Sequence, residues 1–267
     1  MSDSVEAWAA GYVRSTDLAL KLDERAPPTR FEPSFTPLRI ERPGRPRELV
    51  VTDASPKSPG REALRAPDKR ARVLHTFLHH ELQAAELMCW AILAFADAPL
   101  AFRRGLLAIA RDEIRHMNLY RARIEALGAA VGDFPVRDWF WQRVPASTSP
   151  AHFVATLGVG FEGANLDHAA RFAARFRAVD DEASARLQER VADEEIAHVR
   201  FAGAWFKKLT SAGDGAPSFD AWRAHLTPPL SPILMRGSPI ERGARRAAGL
   251  DDAFCDELEA WSPSPGF

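Results

Sequence analysis

The middle of the chain carries one arrangement of glutamate and histidine twice, and this repeat constrains the fold more than any other feature. Each copy has a lone glutamate followed, 32 or 33 residues later, by a Glu-x-x-His motif. The copies are Glu81 with Glu113-Ile114-Arg115-His116, and Glu162 with Glu195-Ile196-Ala197-His198. Four carboxylates and two imidazoles in this order are typical of a two-metal site in a bundle of four helices.

The neighbours of these acids indicate that they face a protein core. Positions three apart lie on one face of a helix, so each Glu-x-x-His motif can direct both side chains at one ion. Apolar residues flank the glutamates at helical spacing, for example Leu78 before Glu81 and Ile109 before Glu113. Burying four carboxylates without cations would be strongly unfavourable. The predicted metal ligands are Glu81, Glu113, His116, Glu162, Glu195 and His198.

Long stretches without proline and nearly without glycine predict four helices after Pro67. Their apolar residues recur at spacings of three and four, which is the helical period. The predicted helices cover residues 68–96, 99–127, 150–178 and a last stretch from a cap at Asp180 or Asp181 to about 209. The connector between the second and third helices is longer than the other turns. We therefore predict an all-α bundle made of two antiparallel hairpins joined by a crossover.

The segments on either side of the helices are rich in proline and are predicted to form irregular arms. A short helix is predicted near residues 5–22. The prolines spaced through 27–67 exclude a long helix there and leave only a possible strand at 47–52. Apolar residues in this segment favour docking on the helices, with a disordered leader as the alternative. Two short helices are expected near 240–249 and 251–260. The predicted organisation is a single domain with an N-terminal arm at 1–66, a bundle at 67–210 and a C-terminal arm at 211–267.

Further polar residues near the predicted ligands admit more than one interpretation. Asp112 and Glu194 each lie four residues before a histidine ligand and can hold its second ring nitrogen, or else form surface salt bridges. Glu86 rivals Glu81, but lies about 140° around the helix from it, so both cannot face one centre. The spacing of the repeat favours Glu81. His75, His79 and Glu86 share a helix face, either as a separate polar cluster or as ordinary polar contacts.

Three glycines around Glu162, at positions 158, 160 and 163, are unfavourable inside a helix. They indicate close helix packing, a local bulge, or space for substrate and dioxygen.

The composition restricts the classes of partner. A net charge of −1 gives no electrostatic signature of binding to nucleic acid or to an anionic membrane. The longest apolar run, residues 87–96, is too short to span a bilayer. Two cysteines far apart, Cys89 and Cys255, and a start without a signal-peptide pattern favour a cytoplasmic location.

Several motifs resemble known families. The six predicted ligands look like those of the ferritin-like di-iron carboxylate superfamily, and Asp112-Glu113-Ile114-Arg115-His116 resembles the ligand run of bacterial multicomponent monooxygenases. The run from His75 to Leu87, with Pro43-Gly44-Arg45-Pro46 and the run from Pro239 to Gly249, is similar to the uncharacterised ferritin-like family catalogued as domain of unknown function 455. The likeness covers nearly the whole chain. One departure is Glu162-Gly163-Ala164-Asn165-Leu166-Asp167, where Glu-Ala-x-Gly-Leu-Asp is expected.

The ligand chemistry and the resemblance together lead us to expect an oxidoreductase that activates dioxygen with two iron ions, or with manganese. It would hydroxylate or desaturate a small-molecule substrate and draw electrons from a reductase or ferredoxin. Metal storage or detoxification and manganese-dependent peroxide disproportionation are the alternatives, and the long arms argue against a minimal storage subunit. The resemblance also allows a tRNA-modifying hydroxylase, which the neutral charge does not support.

Overall fold

The computed structural model describes residues 4–54, 59–211 and 216–263. The chain divides into two compact units, Met1–Ala146 and Ser147–Phe267. Within the described residues the regular structure is helical, which confirms the all-α prediction, and extended pairing is limited to one parallel bridge between Val51 and Val136. None of the described helices combines the length and apolar character needed to cross a membrane.

The first unit is built on one long helical hairpin. Its helices are α1 (Val5–Arg14), α2 (Leu18–Lys21), α3 (Pro67–Ala94) and α4 (Leu100–Ala126), with 3₁₀ turns at Glu62–Arg65 and Val144–Ala146. α3 and α4 pack against each other across the short turn at 95–99. Both long helices lie within two residues of their predicted bounds.

Local sequence explains where the long helices begin and end. Pro67 occupies the first turn of α3, where its missing N–H costs no hydrogen bond. Gly128 follows α4 with a φ of 82°, the left-handed conformation that ends many helices. Nearly every residue of α3 after Ala71 is buried, so this helix forms the centre of the unit.

The N-terminal arm lies against α1 and α3. The Leu38 N–H donates to the Leu93 carbonyl at 3.0 Å, and the Trp90 indole N–H donates to the Ile40 carbonyl at 3.1 Å. At Gly44, an added Cβ would stand only 2.1 Å from a backbone oxygen at the end of α1, so a residue without a side chain is required there.

Two predictions for this arm were too simple. The single helix expected at 5–22 is interrupted after Arg14, because the Asp17 side chain caps a new helix by accepting from the Ala19 N–H at 2.9 Å. The possible strand at 47–52 is reduced to the isolated bridge between Val51 and Val136.

The second unit is also built on a helical hairpin. Its elements are α5 (Pro150–Phe153), a π-helix (Val154–Glu162), α6 (Gly163–Arg177), α7 (Glu182–Thr210), α8 (Phe219–Arg223), a 3₁₀ turn (Pro232–Met235), α9 (Arg242–Ala247) and α10 (Asp252–Ala260). α5, the π-helix and α6 run on without a break and cover the predicted helix at 150–178. α7 packs on α6 and is capped by Asp181, one of the two predicted caps.

The glycines before Glu162 allow the π-helix to pack closely. A Cβ on Gly158 would lie 2.2 Å from the Ala202 Cβ of α7, and a Cβ on Gly160 would lie 2.8 Å from the Met235 sulfur. The bulge and the close packing predicted as alternatives at these glycines therefore occur together. A π-helix has one extra residue in each hydrogen-bonded turn and is common at functional sites.

The C-terminal segment covers part of this hairpin. The Trp222 indole on α8, a helix that the proline-rich composition concealed, donates to the Ala155 carbonyl at 2.9 Å. α9 and α10 lie within two residues of the predicted short helices. Each unit also holds one buried free cysteine, Cys89 on α3 and Cys255 on α10. The ferritin-like bundle and the division into one bundle with two arms stay predictions.

Candidate metal centre

The first unit brings three of the predicted ligands together in its core. Glu81 on α3 and Glu113 and His116 on α4 are all buried. The His116 Nδ1 atom lies 3.6 Å from Glu81 Oε2 and 3.4 Å from Glu113 Oε2. One ligand atom from each of the three residues lies within 4.8 Å of the others. We call these three residues the first half-site.

The spacing of these atoms suits a bound ion. Metal–oxygen and metal–nitrogen bonds are about 2.0–2.2 Å long, so two ligands of one ion stand roughly 3–3.5 Å apart. Ordinary ion pairing between imidazolium and carboxylate could hold a similar arrangement. The residue types favour a divalent metal with oxygen and nitrogen ligands, because two carboxylates balance its two charges.

The second unit supplies the other three predicted ligands. Glu162 is the last residue of the π-helix, and Glu195 and His198 lie one turn apart on α7; all three side chains are buried. His198 Nδ1 lies 3.1 Å from Glu195 Oε2. We call these residues the second half-site, in which Glu195 and His198 are in contact and Glu162 is included because of the sequence repeat. Its charge balance with one divalent ion is the same as in the first half-site.

Apolar packing keeps each half-site away from water. On α4, Ile109, Ala110 and Met117 are buried at helical spacing around Glu113. On α7, Val191 and Val199 are buried one turn before and one turn after Glu195. These stripes position the carboxylates by burying the rest of the helix face, as the sequence pattern predicts.

Glu86, the rival of Glu81, has a different set of contacts. Its Oε1 atom accepts from Lys21 Nζ at 2.7 Å and from Arg45 Nη1 at 2.6 Å, and its Oε2 atom accepts from the Trp141 indole at 2.8 Å. Two cations and an indole N–H therefore surround this carboxylate. The geometry groups Glu81, and not Glu86, with the residues of the first half-site.

A buried ionic network extends from Glu86 and was missed by sequence reasoning. Arg45 also donates through Nε to Asp138 at 3.0 Å, and Asp138 Oδ1 lies 3.0 Å from His79 Nε2. Burial alone would raise the pKa of Asp138, but the hydrogen bond to His79 and the charge of Arg45 hold that pKa below its usual value. Burial lowers the pKa of Lys21, against the opposing effect of Glu86.

A second ionic cluster, in the second unit, involves Asp167 and Arg245. Arg245 donates through Nε to Asp167 Oδ1 at 3.0 Å and through Nη2 to Oδ2 at 2.8 Å, and neither side chain is exposed. The backbone N–H groups of Gly237 and Glu241 donate to the same carboxylate at 2.8 and 2.7 Å. Arg245 belongs to the run from Pro239 to Gly249 that carried the family resemblance, and Asp167 is the acid expected at the end of the run that departs from the family pattern.

The two acids predicted to support the histidine ligands form ion pairs on their own helices. Asp112 Oδ1 lies 3.3 Å from the guanidinium of Arg115, and Glu194 Oε1 lies 3.6 Å from that of Arg190. Both acids are partly exposed. The surface salt bridges named as the alternative are therefore present, and the supporting role stays a prediction.

The predicted cluster of His75, His79 and Glu86 is divided in the structure. His79 and Glu86 share the network through Arg45 and Asp138, whereas His75 Nε2 accepts from the Gly132 N–H at 2.8 Å. Burial lowers the pKa of His75 to about 4. His75 is thus a neutral acceptor that fixes the connector after α4.

Comparison with known proteins places the chain in a family. It belongs to the family described as "Protein of unknown function (DUF455)", whose profile matches residues 3–256. An uncharacterized protein of Haemophilus influenzae (strain ATCC 51907 / DSM 11121 / KW20 / Rd) is 25% identical over 167 residues, which are 58% of this chain and 57% of that protein. The chain thus covers less than two thirds of that relative. No solved structure matches the chain. The resemblance to the family is confirmed, and the wider ferritin-like relationship stays a prediction.

Proposed function

We propose that this member of the DUF455 family is a metal-dependent oxidoreductase that binds two iron ions, one for each half-site. The observation that carries the proposal is that each unit buries two glutamates and one histidine of the sequence repeat, with a carboxylate oxygen 3.1 to 3.6 Å from each imidazole nitrogen. Such donors suit iron or manganese. That the two ions act together is an inference from the repeat alone.

The residues of the half-sites have distinct roles in this proposal. The lone glutamates, Glu81 and Glu162, and the paired Glu113 and Glu195 supply negative charge that balances the metal. His116 and His198 supply neutral nitrogen donors. The surrounding apolar residues exclude water from the half-sites. Bound ferrous iron would supply electrons for the reduction of dioxygen, with an external reductase or ferredoxin restoring them.

The substrate in this proposal is a small molecule. The first unit holds a cavity of about 370 Å³ lined by Thr76, His79, His80, Pro135, Val136, Arg137 and Trp139. This volume is in the range of small-molecule sites. The cavity is bordered by His80, the residue directly before Glu81, so it supports a substrate site close in sequence to a predicted ligand.

Metal analysis of the purified protein tests the proposal. After anaerobic loading with Fe(II) and removal of free metal, we expect two ions per chain and dioxygen consumption without a growing mineral core. Glu113→Gln and Glu195→Gln should each lower the stoichiometry to one ion or less. Asp193→Asn, which changes an exposed acid beside the second motif, is the matched control and should retain both ions.

Other outcomes would redirect the assignment. A stable ferric core that grows with added iron would favour storage, and bound manganese with peroxide turnover would favour disproportionation. Stoichiometry that is unchanged in both glutamine variants would refute the ligand assignment, and a wild-type chain that binds no divalent metal would refute the proposal as a whole.

A further inference from the structure

Each unit carries a second matched feature beside its half-site. An acid lies five residues after the lone glutamate, and an arginine from the N-terminal or the C-terminal segment of the same unit binds that acid. The two sets are Glu81, Glu86 and Arg45 in the first unit and Glu162, Asp167 and Arg245 in the second. The repeat therefore includes more than the metal ligands.

The spacing of five gives this feature a geometric meaning. Five residues correspond to about 140° of rotation and about 7.5 Å along a helix axis, so the acid faces well away from the ligand. An arginine that binds the acid holds the helix from its far side, against both rotation and sliding. The planar guanidinium fixes direction as well as distance, which a lysine does not.

The contacts of Arg245 reach the helix on which Glu162 lies. Besides Asp167, Arg245 Nη2 donates to the Met235 carbonyl at 3.2 Å, and the Met235 sulfur lies 2.8 Å from the Cβ position of Gly160. Arg245 Nη1 lies 3.4 Å from the Cβ position of Gly163, the residue after Glu162. Met235 and the arginine therefore lie against the π-helix just before the candidate ligand and against α6 just after it.

The contacts of Arg45 hold α3, the helix on which Glu81 lies, through different partners. Its Nη1 binds Glu86 at 2.6 Å while its Nε binds Asp138, so a single guanidinium joins α3 to the connector after α4. The preceding Gly44 is pressed against the end of α1, and its N–H donates to the Val13 carbonyl at 2.8 Å. This contact fixes the backbone from which Arg45 extends.

We propose that Arg45 and Arg245 are positioning residues, each of which sets the helix that presents a lone glutamate to its half-site. The metal consequence rests on the proposed function, whereas the effect on the helix does not. The proline-rich segments thereby gain a specific role, because each delivers one largely buried arginine to the helix of one candidate ligand.

Amide hydrogen exchange of the full chain without metal tests the effect on the helix. In Arg245→Met we expect exchange at residues 160–167 to become at least about tenfold faster. Arg242→Met is the control, because Arg242 lies on the same short helix but pairs with Asp256 and Glu259, and its exchange at 160–167 should match the wild type. Unchanged exchange in a folded Arg245→Met protein would overturn the inference.

Cobalt(II) titration tests the effect on the half-sites, read by affinity and by the visible absorption spectrum. Arg245→Met and Arg45→Met should each bind cobalt about tenfold more weakly than the wild type and with an altered absorption spectrum. A tenfold loss is the lower end of the effect seen when residues that orient metal ligands are replaced. The controls Arg242→Met and Arg103→Met, the latter removing the buried partner of Glu6, should resemble the wild type. Arg245→Lys and Arg45→Lys should recover part of the affinity.

The outcomes separate this inference from the proposed function. If the wild-type chain binds no cobalt, the metal proposal fails, and hydrogen exchange still decides whether the arginine holds the helix. If exchange accelerates but cobalt affinity and spectrum stay at wild-type values, the arginines only stabilise the fold and the positioning role is overturned. Where a methionine variant does not fold, the lysine variant of the same position provides the measurement.

Discussion

The two units hold the same pair of acids in the same order, but on different kinds of helix and with different partners. In the first unit Glu86 lies on regular α-helix and is bound by Lys21, Arg45 and Trp141, side chains from three separate segments. In the second unit Asp167 follows a π-helix and is bound by one arginine and two backbone amides, all within 237–245. A buried carboxylate can thus be stabilised either by two cations and an indole N–H, or by one arginine together with backbone N–H groups.

The difference predicts what each unit tolerates. The first unit depends on charge balance, because two cations converge on one acid. The second unit depends on close packing, because glycine contacts bring the π-helix against α7 and against Met235. Substitutions that alter charge should therefore act most strongly on the first unit, and substitutions that add volume should act on the second.

Neutralising Glu86 is expected to have the largest effect on stability. Glu86→Gln leaves Lys21 and Arg45 buried without their shared acid, and breaking such a pair costs about 3–5 kcal/mol in free energy of unfolding. Glu86 is shared by two cations, of which Arg45 keeps Asp138, whereas Asp167 serves the single cation Arg245, so the loss for Asp167→Asn should be smaller. Urea denaturation followed by circular dichroism measures both, and an equal or larger loss for Asp167→Asn would contradict the comparison.

Adding a methyl group at Gly158 should have the next largest effect. Its Cβ would lie 2.2 Å from the Ala202 Cβ, and such overpacking costs about 1–3 kcal/mol. Adding Ala202→Gly to the Gly158→Ala variant should restore most of the stability. Gly11→Ala in α1 is the control, because its Cβ would meet open space and a helical alanine gains about 0.5–1 kcal/mol. A Gly158→Ala protein as stable as the wild type would refute the packing argument.

Acid should weaken both units by a smaller amount through one histidine in each. Burial lowers the pKa of His75 and of His168 to about 4, whereas an unfolded histidine titrates near pH 6.5. The stability from each neutral ring is complete above pH 6.5, decreases as the pH falls, and is lost by about pH 4. Lowering the pH from 6.5 to 5.5 should cost about 1 kcal/mol in free energy of unfolding through His75.

The pH dependence of the urea midpoint measures this effect. His75→Gln keeps an acceptor for the Gly132 N–H and should flatten the profile between pH 6.5 and 4, and His168→Gln provides the matching measurement in the second unit. A slope that is the same in the wild type and in both variants would show that these rings are not responsible.

The residues that sequence predicted well are those whose neighbours in the chain determine their surroundings. The long helices follow from apolar periodicity, and the burial of Glu81, Glu113 and Glu195 follows from their flanking residues. The choice between Glu81 and Glu86 could not be made this way, because apolar residues flank both. The structure distinguishes the two acids through Lys21 and Arg45, which bind Glu86 and lie 65 and 41 residues away from it in the chain.

The π-helix and the buried ionic clusters were beyond local patterns for the same reason. Glycines before Glu162 indicate a departure from regular helix, but its form depends on Ala202 and Met235, which lie far along the chain. Arg245 lies 78 residues from Asp167, so no periodicity links them. Charged residues near proline-rich segments look solvated in a sequence, whereas the Arg245 side chain is fully buried here.

The two buried cysteines allow local opening to be measured separately in each unit. Cys89 and Cys255 are both buried, so a thiol reagent has little access to either sulfur in the closed state. Burial also raises the pKa of both thiols, which keeps them in the less reactive protonated form. A slowly reacting thiol reagent should therefore label each sulfur in proportion to the fraction of time that its surroundings are open. The chain consequently carries two native thiol probes, one on α3 and one on α10, which measure the local stability of the two units in a single labelling experiment.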